Sequence, residues 1–276
     1  MIPLRLAAML TLTLLAARPV SAASCGSTEA GFDQWLSSVK QQAVKSGISP
    51  RTAESALSDV SYDPRVIRLD RSQKPFKQSF DVFVRNRVTP ARVSRGLSLL
   101  KSNAALFARI EKRFGVPGPV LVAIWGLETD YGSNTGNMPS IRSLATLAYD
   151  CRRSAMFTDE LMDALKIVNR GDMSASSMRG GWAGEIGQTQ FMPSKYVAFA
   201  VDFDGDGRRD LIRSRADALA STANYLKGYG WQAGGKWTPG SGNFAVIQEW
   251  NKSPVYTKTV AYFASKLAGS AVAADE

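Results

Sequence analysis

Apolar residues recur along this chain mostly at helical spacing. Phe32-Asp33-Gln34-Trp35-Leu36 opens a pattern that runs to about Lys45, and Ile48-Ser49-Pro50-Arg51 has the form of a capped start for a second helix. Between Ser94 and Phe114 the apolar positions Leu97, Leu100, Ala104, Ile110 and Phe114 are separated by charges, which reads as one helical segment. The polar, proline-containing stretch from Ser72 to Pro90 reads as a connection. Val120 to Leu127 breaks the amphipathic rhythm: it is uncharged and apolar almost all round, so it predicts a helix buried on most sides, started by Pro117 and Pro119 and stopped by Gly132. Helical patterns follow through Ala145–Asp150 and Thr158–Asn169, and a glycine-rich loop spans Gly180–Gln188. Gly and Ser crowd again at Gly234–Gly242. A last amphipathic helix, Ser253 to Leu267, can turn Val255, Thr259, Tyr262, Phe263 and Leu267 inward. The expected fold class is mainly α, with α+β character. Its expected parts are a leader (1–22), a helical subdomain (23–115), a core (116–245) and a closing helix with a tail (246–276).

The buried helix carries one carboxylate, Glu128, which falls on a stripe with Leu121 and Trp125 at i, i+4, i+7. Its apolar neighbours and its place in the last turn, where the helix dipole is negative, both disfavour the charged form and predict a raised pKa. That is the condition for a general acid near neutral pH. A structural ion pair is the other reading of a glutamate at a helix end.

Composition narrows the chemistry. The chain has no histidine, which excludes Ser-His-Asp and Cys-His nucleophiles, HExxH zinc sites and imidazole bases. Carboxylates must carry whatever chemistry exists. Arg5, the apolar run Leu6–Ala17 and the small residues Val20-Ser21-Ala22 form a secretory leader pattern whose apolar run is too short to span a bilayer. Export out of the cytoplasm is therefore expected. Ala22-Ala23-Ser24 before Cys25 lacks the bulky aliphatic residue of a lipoprotein signal, so no lipid or transmembrane anchor is expected. In an oxidising compartment the two cysteines, Cys25 and Cys151, are expected to pair, two separate thiols being the alternative. The net charge of +10, part of which would leave with the leader, suits an anionic surface. No nucleic-acid-binding signature accompanies it.

Gly180-Gly181-Trp182-Ala183-Gly184-Glu185-Ile186-Gly187-Gln188-Thr189-Gln190-Phe191-Met192-Pro193 sets glycines beside aromatics and two glutamines. It reads equally as a wall against sugar rings, with Gln188 and Gln190 free to hydrogen-bond them, or as a buried turn. Together, WGLETDYG at 125–132 and GEIGQTQFMPSKY at 184–196 resemble the membrane-bound lytic transglycosylase B family of periplasmic murein-cleaving enzymes. The resemblance runs from about Phe32 to about Leu267. It implies a lysozyme-like transglycosylase core behind an N-terminal helical subdomain, with Glu128 as sole acid/base. It also implies glycan contacts from Gln190, Phe191, Met192, Pro193, Tyr225, Asn251 and Tyr256. Glu185 departs from the family pattern, where a small residue is common. It reads first as a surface charge and otherwise as a group tuning the groove.

Asp202-Phe203-Asp204-Gly205-Asp206-Gly207-Arg208 starts like an EF-hand calcium loop, but Arg213 stands where the bidentate glutamate belongs. The resemblance implies a longer cation loop in which Asp202, Asp204, Asp206, the Arg208 carbonyl and Asp217 hold a structural Ca2+ or Na+. An Asp-Gly turn without an ion is the alternative. No cofactor is expected for the chemistry. The expected partners are peptidoglycan strands, with cell-wall synthesis or secretion machinery as candidate protein partners, and the chain is expected to be a monomer. The implied reaction is cleavage of the MurNAc-GlcNAc bond with formation of a 1,6-anhydromuramoyl end. Its competitors are a hydrolytic muramidase using Glu185 or Asp130 as second carboxylate, and a murein-binding scaffold without turnover.

Overall fold

A computed structural model describes residues 24–73 and 78–270; the expected leader lies outside them. Among the described residues the order is α1 (Phe32–Lys45), α2 (Pro50–Leu57), α3 (Pro64–Arg71), α4 (Phe80–Arg87), α5 (Pro90–Ser102), α6 (Ala104–Phe114), α7 (Gly118–Thr129), β1 (Met138–Pro139), α8 (Ser140–Tyr149), α9 (Ser154–Arg170), β2 (Arg179–Gly180), α10 (Pro193–Phe199), α11 (Arg215–Gly228), α12 (Gly242–Trp250) and α13 (Pro254–Leu267). The mainly α expectation is met. The β component is one antiparallel pair, Met138 opposite Gly180 and Pro139 opposite Arg179.

The centre is α7. Every residue from Val120 to Leu127 is buried, as the uncharged run requires, and α5, α6, α11 and α13 pack around it. Gly126 lets the chain fold back on itself, because a Cβ there would lie 2.8 Å from the Tyr131 ring. On α13, Thr259, Phe263 and Leu267 are buried and Val255 and Tyr262 pack at the margin. Helices α1, α2 and α3 lie against α8 and α9, and one apolar cluster runs without interruption from Phe32 to Leu267.

Two expectations are corrected. The segment from Ser94 to Phe114 is not one helix. Asn103 leaves the helical region (φ −119°, ψ 26°) and its side-chain amide donates to Leu99 O at 2.8 Å, so α5 ends and α6 begins there. The stretch Ser72–Pro90 is not merely a connection. It contains α4, whose start is capped by the Ser79 hydroxyl accepting from Val82 N.

Cys25 and Cys151 form the expected disulfide, with Cα atoms 5.0 Å apart. The Gly26 N–H donates to Tyr149 O at 2.9 Å, and Tyr149 stacks edge-on against Phe32 and Tyr62. The N-terminal segment is thus fixed covalently, by the backbone and by aromatic packing. Among the described residues no helix is long and apolar enough to cross a membrane.

The disulfide closes a loop with a sequence separation of 126, long enough to restrict the unfolded chain strongly. Reduction or Cys25→Ser should destabilise the protein by roughly 2–5 kcal/mol, read from denaturant midpoints with and without reductant. Two alkylatable thiols in protein purified without reductant would contradict the pairing.

Candidate active site

Glu128 occupies the last turn of α7. Both of its hydrogen bonds fall on one oxygen: the Tyr256 hydroxyl donates to Oε1 at 2.5 Å and the Trp250 indole N–H donates to Oε1 at 3.0 Å. Oε2 has no hydrogen-bond partner among the described residues. Burial pushes the Glu128 carboxyl above the ordinary carboxylate range, against the opposing pull of the two donors and of Arg87, while the charge of Glu185 pushes it further up. Tyr256 is itself buried and is held well above its usual pKa by desolvation and by the adjacent carboxyl. It remains a donor. Trp250 and Arg87 escape a motif reading. Arg87, at the end of α4, donates from Nη2 to Leu127 O at 2.7 Å and so brings a positive charge to the last turn of α7.

The chain leaves α7 through left-handed backbone at Asp130 (φ 50°), Tyr131 (φ 60°) and Gly132 (φ 79°). Arg92 and Arg95 grip the Asp130 carboxylate at 3.1 and 3.3 Å, and the Tyr131 hydroxyl donates to Arg92 O at 2.6 Å. Asp130 is therefore an ion-paired structural carboxylate, and the Tyr131 phenol is pushed up by burial. Thr129 joins this turn to the glycine-rich loop: its hydroxyl donates to Gln188 O at 2.5 Å and accepts from Gly132 N at 2.9 Å.

In the glycine-rich loop, Gly180 and Gly187 serve close approach of the chain to itself. A Cβ on Gly180 would fall 1.8 Å from Glu185 O, and one on Gly187 would fall 2.4 Å from Leu211 O. The glutamines are not free. Gln188 Nε2 donates to Ile212 O, and Gln190 Nε2 donates to Thr135 O and Gly187 O, with Gln190 in the left-handed region at φ 55°. Phe191 is 2% exposed and sits edge-on against Trp250 and Tyr225. Pro193 is buried at the start of α10. The Tyr225 hydroxyl donates to Glu249 O at 2.6 Å, and its phenol is also raised by burial. Asn251 accepts from Ser253 N at 2.9 Å, shaping the turn into α13. Around Glu128 the structure thus gathers Tyr256, Trp250, Phe191 and Tyr225 as one aromatic wall. Met192 lines a cleft of about 440 Å³ with Trp182 and Glu185. The surface-charge expectation for Glu185 is corrected: it is half-buried, and desolvation raises its pKa.

In the acidic loop, carboxylate oxygens of Asp202, Asp204 and Asp217 lie within 4.8 Å of one another. Asp206 is not among them; it accepts from Arg208 N at 2.9 Å, and its side chain lies 3.9 Å from the Arg208 guanidinium. Backbone N–H groups of Phe203, Asp204 and Asp210 donate to the buried Asp217, and those of Gly205 and Gly207 donate to Asp202. Three converging hard oxygen donors fit a hard cation such as calcium or sodium.

The sequence pattern of the transglycosylase SLT domain family matches residues 31–241. The chain is similar to the membrane-bound lytic murein transglycosylase B of Escherichia coli (strain K12), at 32% identity over 200 residues, 69% of this chain and 55% of that protein. It thus spans about half the length of that relative. SltB3 from Pseudomonas aeruginosa, solved in complex with NAG-anhNAM-pentapeptide, superposes with a TM-score of 0.82 at 36% identity, covering 87% of this chain and 80% of that one. Soluble lytic transglycosylase SltB1 from the same organism superposes with a TM-score of 0.79 at 25% identity, covering 85% and 98%.

A glutamate whose folded pKa is raised adds stability below its unfolded pKa, and that stability is lost as pH rises through the folded value. Glu128→Gln should therefore raise the melting temperature at neutral pH. The gain should shrink as pH falls towards the ordinary value of 4.5. Calorimetry across that range checks it; a variant less stable than wild type at pH 7 would argue for a stabilising ion pair.

Proposed function

The chain belongs to the transglycosylase SLT domain family, and on that premise we propose that it is a lytic murein transglycosylase with Glu128 as its single acid and base. The observation that carries this reading is the setting of the Glu128 carboxyl: desolvated, with a raised pKa, anchored through Oε1 alone and free at Oε2. An acid built this way holds its proton to higher pH than an ordinary carboxyl and presents it from a fixed position. The SltB3 complexes with NAG-anhNAM-pentapeptide and NAG-NAM-pentapeptide support murein as the substrate class. The leader pattern and the Cys25–Cys151 disulfide support a periplasmic location.

The reaction follows from one carboxyl. The Oε2 proton passes to the glycosidic oxygen between N-acetylmuramic acid and N-acetylglucosamine, and the C1–O bond breaks. The substrate's own N-acetyl oxygen supports the cationic centre. The Glu128 carboxylate, held by Tyr256 and Trp250, then takes the proton of the muramoyl C6 hydroxyl as its oxygen closes onto C1. The product is a 1,6-anhydromuramoyl end, and no water is consumed. The aromatic wall of Trp250, Phe191 and Tyr225 limits access of bulk water to the step. Hydrolysis through two carboxylates would need a partner for Glu128, and Asp130 is engaged by Arg92 and Arg95. The acidic loop would hold calcium or sodium through Asp202, Asp204 and Asp217 as a strut, outside the chemistry, because protonating an ether oxygen requires no metal.

Glu128→Gln should remove turnover on purified sacculi, by at least about 10²- to 10⁴-fold, while glycan binding persists. Mass spectrometry should find released muropeptides at the anhydro mass. Products heavier by one water would mean a muramidase, and near wild-type activity in the variant would sink the assignment.

Calcium should raise the melting temperature in proportion to the logarithm of its concentration once the site fills, with weak affinity of about 10⁻⁴ to 10⁻³ M. Asp202→Asn should flatten that response. Identical melting in chelator and in millimolar calcium would identify the loop as an ordinary Asp-Gly turn.

A further inference from the structure

The cleft of about 440 Å³ is lined by four charged side chains, Arg152, Arg153, Glu160 and Glu185. Three of them are already engaged. Both arginines turn onto the buried Asp70. Glu160 accepts from Ser194 N at 2.8 Å and from the Ser194 hydroxyl at 2.7 Å. Glu185 is different. Its one hydrogen bond to another residue is from Ala183 N to Oε2, at 3.0 Å, and among the described residues it forms no ion pair. The carboxylate lies close over the backbone of its own loop: a Cβ on Gly181 would fall 2.2 Å from Glu185 Oε2. Desolvation raises its pKa, and only backbone N–H groups oppose that shift.

Charges drawn partly out of water are ordinarily paired, and no ion-pair partner for this half-buried one comes from the described residues. The remaining walls describe what would supply it. Trp182, Met192, Met156 and Phe157 form an apolar sleeve suited to methylene groups, and an indole face attracts cations. The complementary ligand is therefore a primary ammonium at the end of a short aliphatic chain. We propose that Glu185 is a specificity-determining residue that binds the free ammonium of a diamino acid in the peptide attached to the glycan. This rests on murein being the substrate, and it adds a requirement on the peptide that the cleavage chemistry does not impose.

Binding tests it independently of turnover. A disaccharide-pentapeptide with a free side-chain amine, and the same fragment N-acetylated on that amine, are titrated calorimetrically into Glu128→Gln protein and into Glu128→Gln, Glu185→Gln protein. Acetylation should weaken binding about tenfold where Glu185 is present, the scale of one charge-assisted hydrogen bond, and should make no difference where it is Gln. The acetylated fragment also tests the contact in protein with Glu185 intact, so the result does not hang on the second variant folding. Equal affinity of the two fragments, an equal loss in both proteins, or no binding of either would overturn the proposal. So would loss of cleavage of peptide-free glycan strands in Glu185→Gln, since that would make Glu185 part of the bond-breaking machinery. Failure of wild-type protein to release anhydro products from intact sacculi would instead count against the lytic reading and leave the calorimetric comparison to stand on its own.

Discussion

The hydrogen bond from the Tyr256 hydroxyl to Glu128 Oε1 is the contact on which the site depends. It joins the centre of the fold to its last helix across 128 residues of sequence. Without α13 against α7, the last turn of α7 would open to solvent and Glu128 would be an ordinary surface carboxylate. Trp250 reaches the same oxygen from the end of α12, and Phe191 and Tyr225 stand edge-on against its ring. The glycine-rich loop and α11 are therefore tied to the acid through aromatic packing.

The electrostatics of Glu128 balance one large effect against several smaller ones. Removal from water favours the protonated form. Two neutral donors and the Arg87 charge favour the carboxylate, and the first effect prevails. The donors keep their purpose despite losing that contest. They fix one oxygen in place and remain matched to the anion that forms when the proton leaves, so the group can accept a proton afterwards.

Much of this was readable from sequence where a short-range rule decided the outcome. The uncharged run Val120–Leu127 could only be buried, and a lone glutamate at its end could only be desolvated or paired. The disulfide was expected from two cysteines behind a leader pattern. What escaped depends on contacts distant in sequence or on competition within a few residues. The break at Asn103 comes from one amide capturing the Leu99 carbonyl. Helix α4 has only eight residues and no long apolar period. Trp250 and Arg87 meet Glu128 only once the helices are assembled. Gln188 and Gln190 look like ligand-binding amides in a string of letters, but their donors are spent on carbonyls of neighbouring turns. Whether Glu185 faced solvent depended on how the loop turns over it, a property of the folded chain.

The left-handed run Asp130-Tyr131-Gly132 carries a consequence for how the molecule divides its stability. Two of the three residues have a Cβ, and non-glycine residues in that region cost of order 1–3 kcal/mol each. The arginine grip on Asp130 and the Tyr131 bond to Arg92 offset that cost from α5, so the turn behind the acid is kept by a neighbouring helix against its own preference. A strained turn held from outside is a release point. If α5 loosens, the turn can relax before the core melts, and the position of the acid is lost while most of the fold survives. Displacement of the Glu128 carboxyl and global unfolding then become separable events on heating, with the first set by a handful of guanidinium contacts and the second by the apolar centre.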